Sequence, residues 1–427
     1  MAGDAATHRA IEAVWRIESA RIVASVARLV RDVGLAEDLA QDALIVAFEH
    51  WPANGVPDNP GAWLMATAKN RALDRLRRDA LAVRKHDEYG RDLDAVSAPD
   101  TGDVVAAAAD DDIGDDLLRL VFVACHPVLT TDARVALTLK LVGGLATDEI
   151  ARAFLVPEPT IAQRIVRAKR TLSASQVPFE VPRRDELAPR LTSVLEVVYL
   201  VFNEGYAATS GEHWMRPTLC EEALRLGRVL AALAPDEPEV HGLAALMEIQ
   251  ASRLEARVDR AGNPVLLLDQ SRARWNRLLI RRGLAALARA DALCRAHGEA
   301  RGPYVLQAAI AACHARAATA AATEWREIVA LYDALAEIVP SPVVALNRAV
   351  AIGMAFGPAA GLEAVDALSD APALARYHLL PSVRGDLLAK LGRRDEAKRE
   401  FERAASMTQN AREVELLKAR AQTQTAS

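Results

Sequence analysis

The chain has 427 residues, too many for one hydrophobic core, so two to four domains are expected. Apolar residues make up 51% and charged residues 26%, which excludes wholesale disorder, and the low aromatic share of 4% beside abundant alanine, leucine and arginine predicts an all-α protein. The formal net charge of −5 speaks against nucleic-acid binding only as a chain average, so local charge must decide.

The sequence predicts a cytoplasmic protein with no membrane contact, no metal and no cofactor. It contains no run of about 18 apolar residues and no leader pattern at its start. Cys294 and His297 have a spacing that could hold a metal, but two ligands are too few. The four cysteines form no CxxC pair, so we expect buried thiols; they are Cys125, Cys220, Cys294 and Cys313.

The first predicted domain, residues 1–90, is helical with two breaks. Apolar residues recur at helical spacing from Ile11 to about Leu81, interrupted at Gly34 and again between Trp51 and Gly61. Asn59 is a good helix cap and Pro60 suits a first turn, so a new helix is predicted from Pro60. The later part of this helix is strongly basic, because its cationic residues outnumber the acidic Asp74 and Asp79; they are Lys69, Arg71, Arg75, Arg77 and Arg78.

Residues 91–116 are acidic, in contrast to the basic helix before them. Seven further aspartates lie between Asp92 and Asp116, with few large apolar residues to anchor them. This composition predicts a flexible acidic linker, and a solvated spacer is sufficient to explain it.

Residues 117–177 contain a predicted helix-turn-helix. One helix spans Thr147 to Phe154 and a second spans Thr160 to Leu172, with a short turn between them. The second helix has an inward face of Ile161, Ile165 and Ala168. Its remaining face suits phosphates and bases, although a solvated helix in a repeat array could look similar; the polar side chains are Gln163, Arg164, Arg167, Lys169 and Arg170.

Residues 178–427 predict stacked helix pairs, that is, an α-solenoid. Small and aromatic residues fall at tetratricopeptide-like positions in two places; they are Gly385, Leu388, Ala397, Phe401 and Ala404, and one repeat earlier Ala349, Gly361, Val365 and Ala367. Residues 259–269 interrupt the helical pattern, and no function is assigned to that insert.

Two regions of the chain resemble extracytoplasmic-function sigma factors of the sigma-70 family. Their order and separation make the combined signal strong, and the extension is similar to that of the group with a C-terminal tetratricopeptide-like domain. The family commonly has glycine in the helix-turn-helix turn, where this chain has Leu155. The matching residues are Glu37-Asp38-Leu39-Ala40-Gln41-Asp42 through Trp51, Ala62-Trp63-Leu64, Ala68 to Arg78, Glu149-Ile150-Ala151-Arg152, Thr160-Ile161, and Arg164, Ile165, Arg167 and Ala168.

The resemblance implies an alternative sigma factor, not an enzyme, that binds core RNA polymerase and promoter DNA. Residues 1–90 would be region 2, with Asp38, Leu39, Gln41 and Asp42 contacting the clamp helices of the largest subunit. The −10 element would be opened and read by Asn54, Asn59, Trp63, Lys69, Asn70, Arg71, Asp74, Arg75, Arg77 and Arg78. Trp63 could instead be a core residue, which its apolar helix favours.

Residues 117–177 would be region 4, which reads the −35 element and reaches the flap of the second-largest subunit. Its DNA-binding residues would be Thr160, Gln163, Arg164, Arg167, Lys169 and Arg170. The acidic linker would then lie in a basic polymerase channel, and the extension would be regulatory, with a protein or peptide ligand.

Two other classes of protein compete with this interpretation. A helix-turn-helix regulator that acts without polymerase would bind an intact operator alone, whereas sigma factors of this kind usually need the core enzyme. An enzyme has little support, since the sequence shows no phosphate loop or nucleophile motif and nothing brings Glu204, His213 and Asp236 together.

Overall fold

The polypeptide is helical almost throughout and divides into two compact units. A computed structural model describes residues 2–90, 113–154, 156–182, 184–208, 210–211, 214–260 and 262–424. The units are Met1–Val197 and Val198–Ser427, and the division falls inside one helix, Arg184–Tyr206. The predicted all-α fold class is confirmed.

The first unit is built around its N-terminal helix. That helix packs against the second, third and fourth helices, and its buried side chains include Ile11, Ile22 and Val26. In the described ranges the helices are α1 (Ala2–Val30), α2 (Val33–Asn54), α3 (Pro60–Gly90), α4 (Ile113–Ala124), α5 (Thr131–Leu141), α6 (Thr147–Phe154), α7 (Glu158–Ala174) and α8 (Arg184–Tyr206).

Both breaks in the first ninety residues differ from the prediction. Arg31 has a left-handed φ of 56°, and the Asp32 side chain accepts a hydrogen bond from the Leu35 N–H at 2.8 Å, so α2 begins before Gly34. At its other end α2 continues through Pro52 to Asn54. The Gly55 N–H then donates a hydrogen bond to the Trp51 carbonyl oxygen at 2.9 Å, which caps the helix. Local capping, which apolar periodicity does not report, therefore sets these ends.

Residues 91–112 of the predicted acidic linker lie outside the described residues. Residues 113–116, which the sequence placed in that linker, form the first turn of α4. Asp116 is only 1% exposed; its carboxylate accepts a hydrogen bond from Arg119 at 2.6 Å and lies 3.1 Å from Arg28 Nε. Arg28 and Arg119 thus compensate the charge of Asp116, which is buried in the folded unit.

The helix-turn-helix has the predicted first helix, α6, while α7 begins two residues early at Glu158, with Pro159 in its first turn. The inward face of α7 is buried as expected, at Ile161, Ile165 and Ala168. α7 packs against α5 and α6. Leu155, the predicted departure in the turn, lies outside the described residues.

The second unit is a succession of helices that pack mostly against their neighbours in the chain. One short parallel pairing joins distant parts of it, β1 (Ser210–Gly211) with β2 (Gln409–Asn410). After the end of α8 its helices are α9 (Pro217–Leu233), α10 (Pro238–Ala251), α11 (Arg277–His297), α12 (Pro303–Arg316), α13 (Trp325–Ile338), α14 (Pro342–Phe356), α15 (Pro358–Asp366), α16 (Leu379–Lys390), α17 (Arg394–Met407) and α18 (Ala411–Thr423).

The predicted repeat positions on α16 and α17 are buried. A Cβ added at Gly385 would lie 2.9 Å from the Phe401 ring, so only glycine allows these helices to approach so closely. In the earlier set Ala349 and Val365 are buried, whereas Ala367 is exposed at the end of α15. Stacked helices are present, and their assignment to tetratricopeptide repeats stays a prediction.

The four cysteines are free and buried, as predicted. Within the described ranges no helix combines the length and apolar character needed to span a bilayer.

Candidate functional site

The acidic face of α2 presents two of its predicted residues to solvent. The side chains of Asp38 and Asp42 are 72% and 50% exposed. Asp42 Oδ2 lies 3.3 Å from Arg71 of α3, while Leu39 is buried and anchors the helix to the core. Gln41 is half-buried and turns toward a cleft of about 800 Å³ between α1, α2 and the α5–α6 region.

A buried carboxylate beside this face was missed by sequence reasoning. Glu37 is only 4% exposed. Its Oε1 accepts a hydrogen bond from Gln41 Nε2 at 2.8 Å and lies 3.8 Å from Lys140 Nζ. Its Oε2 forms an ion pair with Lys169 of α7. These four residues, the Glu37 cluster, join the helix-turn-helix to α2.

The basic stretch of α3 is mostly exposed. Asn70 and Asp74 are on the surface one turn apart, and Lys69 and Arg71 are half-buried. Three arginines pair with acids or a carbonyl of α3 itself: Arg75 with Asp79 at 3.0 Å, Arg77 with Asp74 at 3.5 Å, and Arg78 Nε with the Asp74 carbonyl at 3.2 Å. Exposed pairs of this kind stabilise little, so phosphate oxygens can replace them.

The end of α2 and the loop before α3 each hold one of the predicted DNA-binding residues. Asn54 is the exposed last residue of α2, and Asn59 Oδ1 accepts the Ala62 N–H at 3.1 Å, the predicted helix cap. Trp63 is half-buried, and its ring stands edge-on to the buried Trp51 ring with centroids 5.4 Å apart. The contact fits the core interpretation of Trp63 and leaves part of its ring accessible.

The recognition helix α7 exposes most of its predicted set. Thr160, Gln163, Arg167 and Arg170 are exposed, while Arg164 is half-buried with NH2 3.2 Å from Asp132 of α5. Lys169, in contrast, is not exposed on that face: it belongs to the Glu37 cluster, and its side chain is 19% exposed. A Cβ on Gly34 would touch its stem at 3.6 Å.

The residues considered for catalysis or metal binding are not assembled. Glu204 pairs with Arg216, Asp236 with Arg289 at 3.4 Å, and His213 is outside the described residues. In the described ranges no three His, Cys, Asp or Glu side chains are placed to hold a metal ion.

Three family models match the chain, in an order that follows its helices. Sigma-70 region 2 matches residues 17–81, which cover the later part of α1, all of α2 and most of α3. Sigma-70, region 4 matches residues 119–172, which include α5 to α7. A family of unknown function, DUF6596, matches residues 190–291.

Curated relatives agree with these matches. An uncharacterized protein of Rhizobium meliloti (strain 1021) is 43% identical over 388 residues, 91% of this chain and 89% of the relative. The ECF RNA polymerase sigma factor SigK of Mycobacterium ulcerans (strain Agy99) is 31% identical over 156 residues, 36% of this chain and 78% of that protein. SigK of Mycobacterium tuberculosis (strain ATCC 25618 / H37Rv) is 29% identical over 153 residues, with the same shares. No solved structure matches the chain.

Proposed function

The chain belongs to the extracytoplasmic-function sigma factors of the sigma-70 family, and from this premise we propose which of its surfaces engage polymerase and promoter. It is an alternative sigma factor that directs transcription initiation. We assign residues 1–90 to polymerase and −10 binding, 91–112 to a linker, 113–197 to −35 binding and 198–427 to regulation. Such a factor would act in the cytoplasm.

The exposed acidic face of α2 carries the proposal for polymerase. Asp38, Gln41 and Asp42 would face arginine-rich clamp helices of the largest subunit, with Leu39 fixing the helix beneath them. Asp42→Arg should abolish pull-down of core polymerase, because it places a cation before a basic surface and beside Arg71.

The matched control for this test is Glu402→Arg, the same charge reversal at an exposed site in the second unit. It should bind polymerase normally. Unchanged far-ultraviolet circular dichroism would show that both variants fold. Normal binding by Asp42→Arg would contradict the assignment.

For the −10 element we propose that α3 and the preceding loop act together. Lys69, Arg71, Arg75, Arg77 and Arg78 would hold phosphates. Asn70 and Asp74 would read an unpaired base, with Asn54, Asn59 and the accessible part of Trp63 beside it. Asn70→Ala should change base preference on a promoter already melted at −10; an unchanged preference would remove it from the reading set.

For the −35 element we propose that the exposed face of α7 enters the major groove, with Thr160, Gln163, Arg167 and Arg170 among its contacts. If Arg164 leaves Asp132 to read a guanine, Arg164→Ala should cost about 1–3 kcal/mol at one base position. Equal weakening on all sequences would show that it holds phosphate only. Arg170→Ala is the comparison variant for a phosphate contact.

Lys169 gives this assignment a conformational requirement. Its ammonium forms an ion pair with Glu37, and the distance from Lys169 Nζ to Asp38 Oδ1 is 3.6 Å. Before Lys169 contacts promoter DNA, its ammonium must leave Glu37. Glu37→Gln should therefore increase −35 binding by the full chain, as measured by fluorescence anisotropy, and unchanged affinity would argue against this requirement.

The extension after the second DNA-binding segment is proposed to regulate initiation, with a protein or peptide as a candidate ligand. A truncation that tests this should end after Val197 rather than Val177. Arg190 NH2 donates to the Phe122 carbonyl at 2.9 Å, and Ser193 Oγ donates to the Cys125 carbonyl at 2.6 Å, so residues of α8 complete the first unit. Unregulated activity of the shortened chain in run-off transcription would support inhibition, and lost activity a positive role.

The acidic linker is proposed to lie in the nucleic-acid channel of polymerase, where nascent RNA would displace it. Replacing its aspartates with asparagines should alter the yield of abortive transcripts. Unchanged yields would leave only the spacer role.

A further inference from the structure

The second unit contains a cavity of about 310 Å³ that the transcription role does not use. It is bounded by the end of α8, by α10, α12 and α13, and by the irregular segment between α10 and α11. A volume of this size equals about ten water molecules at roughly 30 Å³ each, the lower end of the range for small-molecule sites.

One wall of the cavity is cationic. Arg253 lines it, and its guanidinium lies 5.7 Å from the ring centroids of both Tyr206 and Trp275. Arg272 lies 4.6 Å from the Trp275 ring, and Arg257 lies 3.6 Å from the Tyr206 ring. Three guanidinium groups thus converge on two aromatic rings.

Among the described residues that line the cavity, none is an aspartate or glutamate. Arg272 donates to the carbonyl oxygens of His314 and Ala317. Arg257 interacts electrostatically with Glu413, whose carboxylate also accepts a hydrogen bond from Thr408. Arg253 itself donates to Tyr206 and Gln250, both uncharged. Arg253 is half-buried, and in the described part of the chain its hydrogen-bond partners carry no negative charge.

Polar atoms at the cavity lack hydrogen-bond partners. Arg253 Nε, Trp275 Nε1 and His314 Nδ1 are all buried and unpaired within the described residues. Buried donors in native proteins are nearly always satisfied, by protein, water or ligand. Arg253 and Trp275 come from the irregular segment between α10 and α11 and His314 comes from α12, and all three line this cavity.

The electrostatic potential at the cavity is positive. Burial, together with Arg253 and Arg272, lowers the pKa of His314 to about 4, so its ring is neutral at physiological pH. Burial also lowers the pKa of Arg253, and Arg257 adds to this effect. Tyr206, which accepts a hydrogen bond from Arg253, acts on the pKa of Arg253 in the opposite direction.

We propose that this cavity binds a small organic carboxylate, with its carboxylate on Arg253 and its apolar body against Phe202, Leu246 and Ile249. The anion would accept hydrogen bonds from Arg253 Nε and Trp275 Nε1, and His314 would serve as a further donor. A single negative charge matches a wall in which Arg272 is already bonded to carbonyl oxygens. This inference stands without the transcription role and gives the extension a ligand that it can sense.

The test uses the full chain and benzoate, with benzamide as the neutral analogue and inorganic phosphate as a second anion. Benzoate should raise the thermal midpoint and change tryptophan emission saturably, whereas benzamide and phosphate should not. Arg253→Gln should weaken benzoate binding about tenfold or more, because it removes a charge-assisted hydrogen bond. Arg289→Gln, an exposed arginine paired with Asp236 in the same unit, should leave binding unchanged.

Two further variants keep the test decisive if Arg253→Gln does not fold. Arg253→Lys should retain part of the affinity because it keeps the charge, and His314→Gln should weaken binding. No saturable response of the wild-type chain to benzoate, an equal response to benzamide, or a response to phosphate alone would overturn the proposal. Full binding by both Arg253→Gln and His314→Gln would do the same.

Discussion

Glu37 in the first unit and Arg253 in the second are charged side chains inside the protein, but their surroundings differ. In the first unit Glu37 is surrounded by Lys140, Lys169 and Gln41, so the buried charge is compensated within the protein. In the second unit Arg253 is surrounded by aromatic rings and neutral donors or acceptors. A compensated charge joins helices, whereas an uncompensated one is costly unless something from outside completes it.

The strongest test of this difference is Glu37→Leu. It leaves two half-buried lysines without their carboxylate, so the free energy of unfolding of the first unit should fall by about 3 kcal/mol. Denaturant titration of the full chain, followed by far-ultraviolet circular dichroism, measures the loss. Asp38→Asn is the matched exposed change, expected to cost at most about 0.5 kcal/mol.

The counterpart in the second unit is Arg253→Met. Since no carboxylate is left behind, unfolding of the ligand-free chain should change by less than about 1 kcal/mol in either direction. A loss as large as that of Glu37→Leu would erase the contrast between the two units.

Acid should affect the two units through different histidines. The pKa of His314 falls to about 4 by burial and two nearby arginines, and that of His126 to about 4 by burial and Arg190. Between this value and the ordinary 6.5 the unfolded chain binds the proton and the folded chain does not, so stability decreases as pH falls through that window.

At about pH 5 the loss through His314 should be about 2 kcal/mol, and through the more solvent-exposed His126 about 1 kcal/mol. Comparing His314→Gln and His126→Gln with the wild type at neutral pH and at about pH 5 separates the contributions. If neither variant flattens the pH dependence, these groups do not control acid sensitivity.

The smallest expected effect concerns side-chain capping of the free backbone N–H groups at the start of a helix. Asn59 caps α3 through its side chain, whereas Thr130 precedes α5 without a side-chain cap. Asn59→Ala should lower the thermal midpoint by an amount equivalent to about 1 kcal/mol, and Thr130→Ala should leave it nearly unchanged. Equal effects would show that the Asn59 contact does not stabilise the helix.

Features with a local cause were predictable from the sequence. The cap at Asn59, the first helix of the helix-turn-helix and the inward face with Ile161 and Ile165 all follow from spacing within a few residues. The start of α2 was not predictable in this way, because Gly34 has the character of a helix breaker whereas Arg31 and Asp32 set the boundary.

Features that depend on tertiary convergence were not predictable. Lys169 carries the same helical signal as Arg167 and Arg170, but its partner Glu37 is more than a hundred residues away. The insert at residues 259–269 had no assigned function, yet Leu267 lines the cavity together with Arg253 and His314. Spacing along one helix cannot report such contacts, and the polymerase and DNA contacts of the site residues stay predictions.

The buried cysteines give each unit an internal reporter of opening. Burial raises the pKa of Cys125 in the first unit to about 11 and that of Cys220 in the second to about 12, so both thiols stay protonated near neutral pH. Because the thiolate is the reactive form, alkylating reagents should modify these sites only when the surrounding helices separate. Mass spectrometry of the labelled peptides would then time the opening of each unit without any engineered probe.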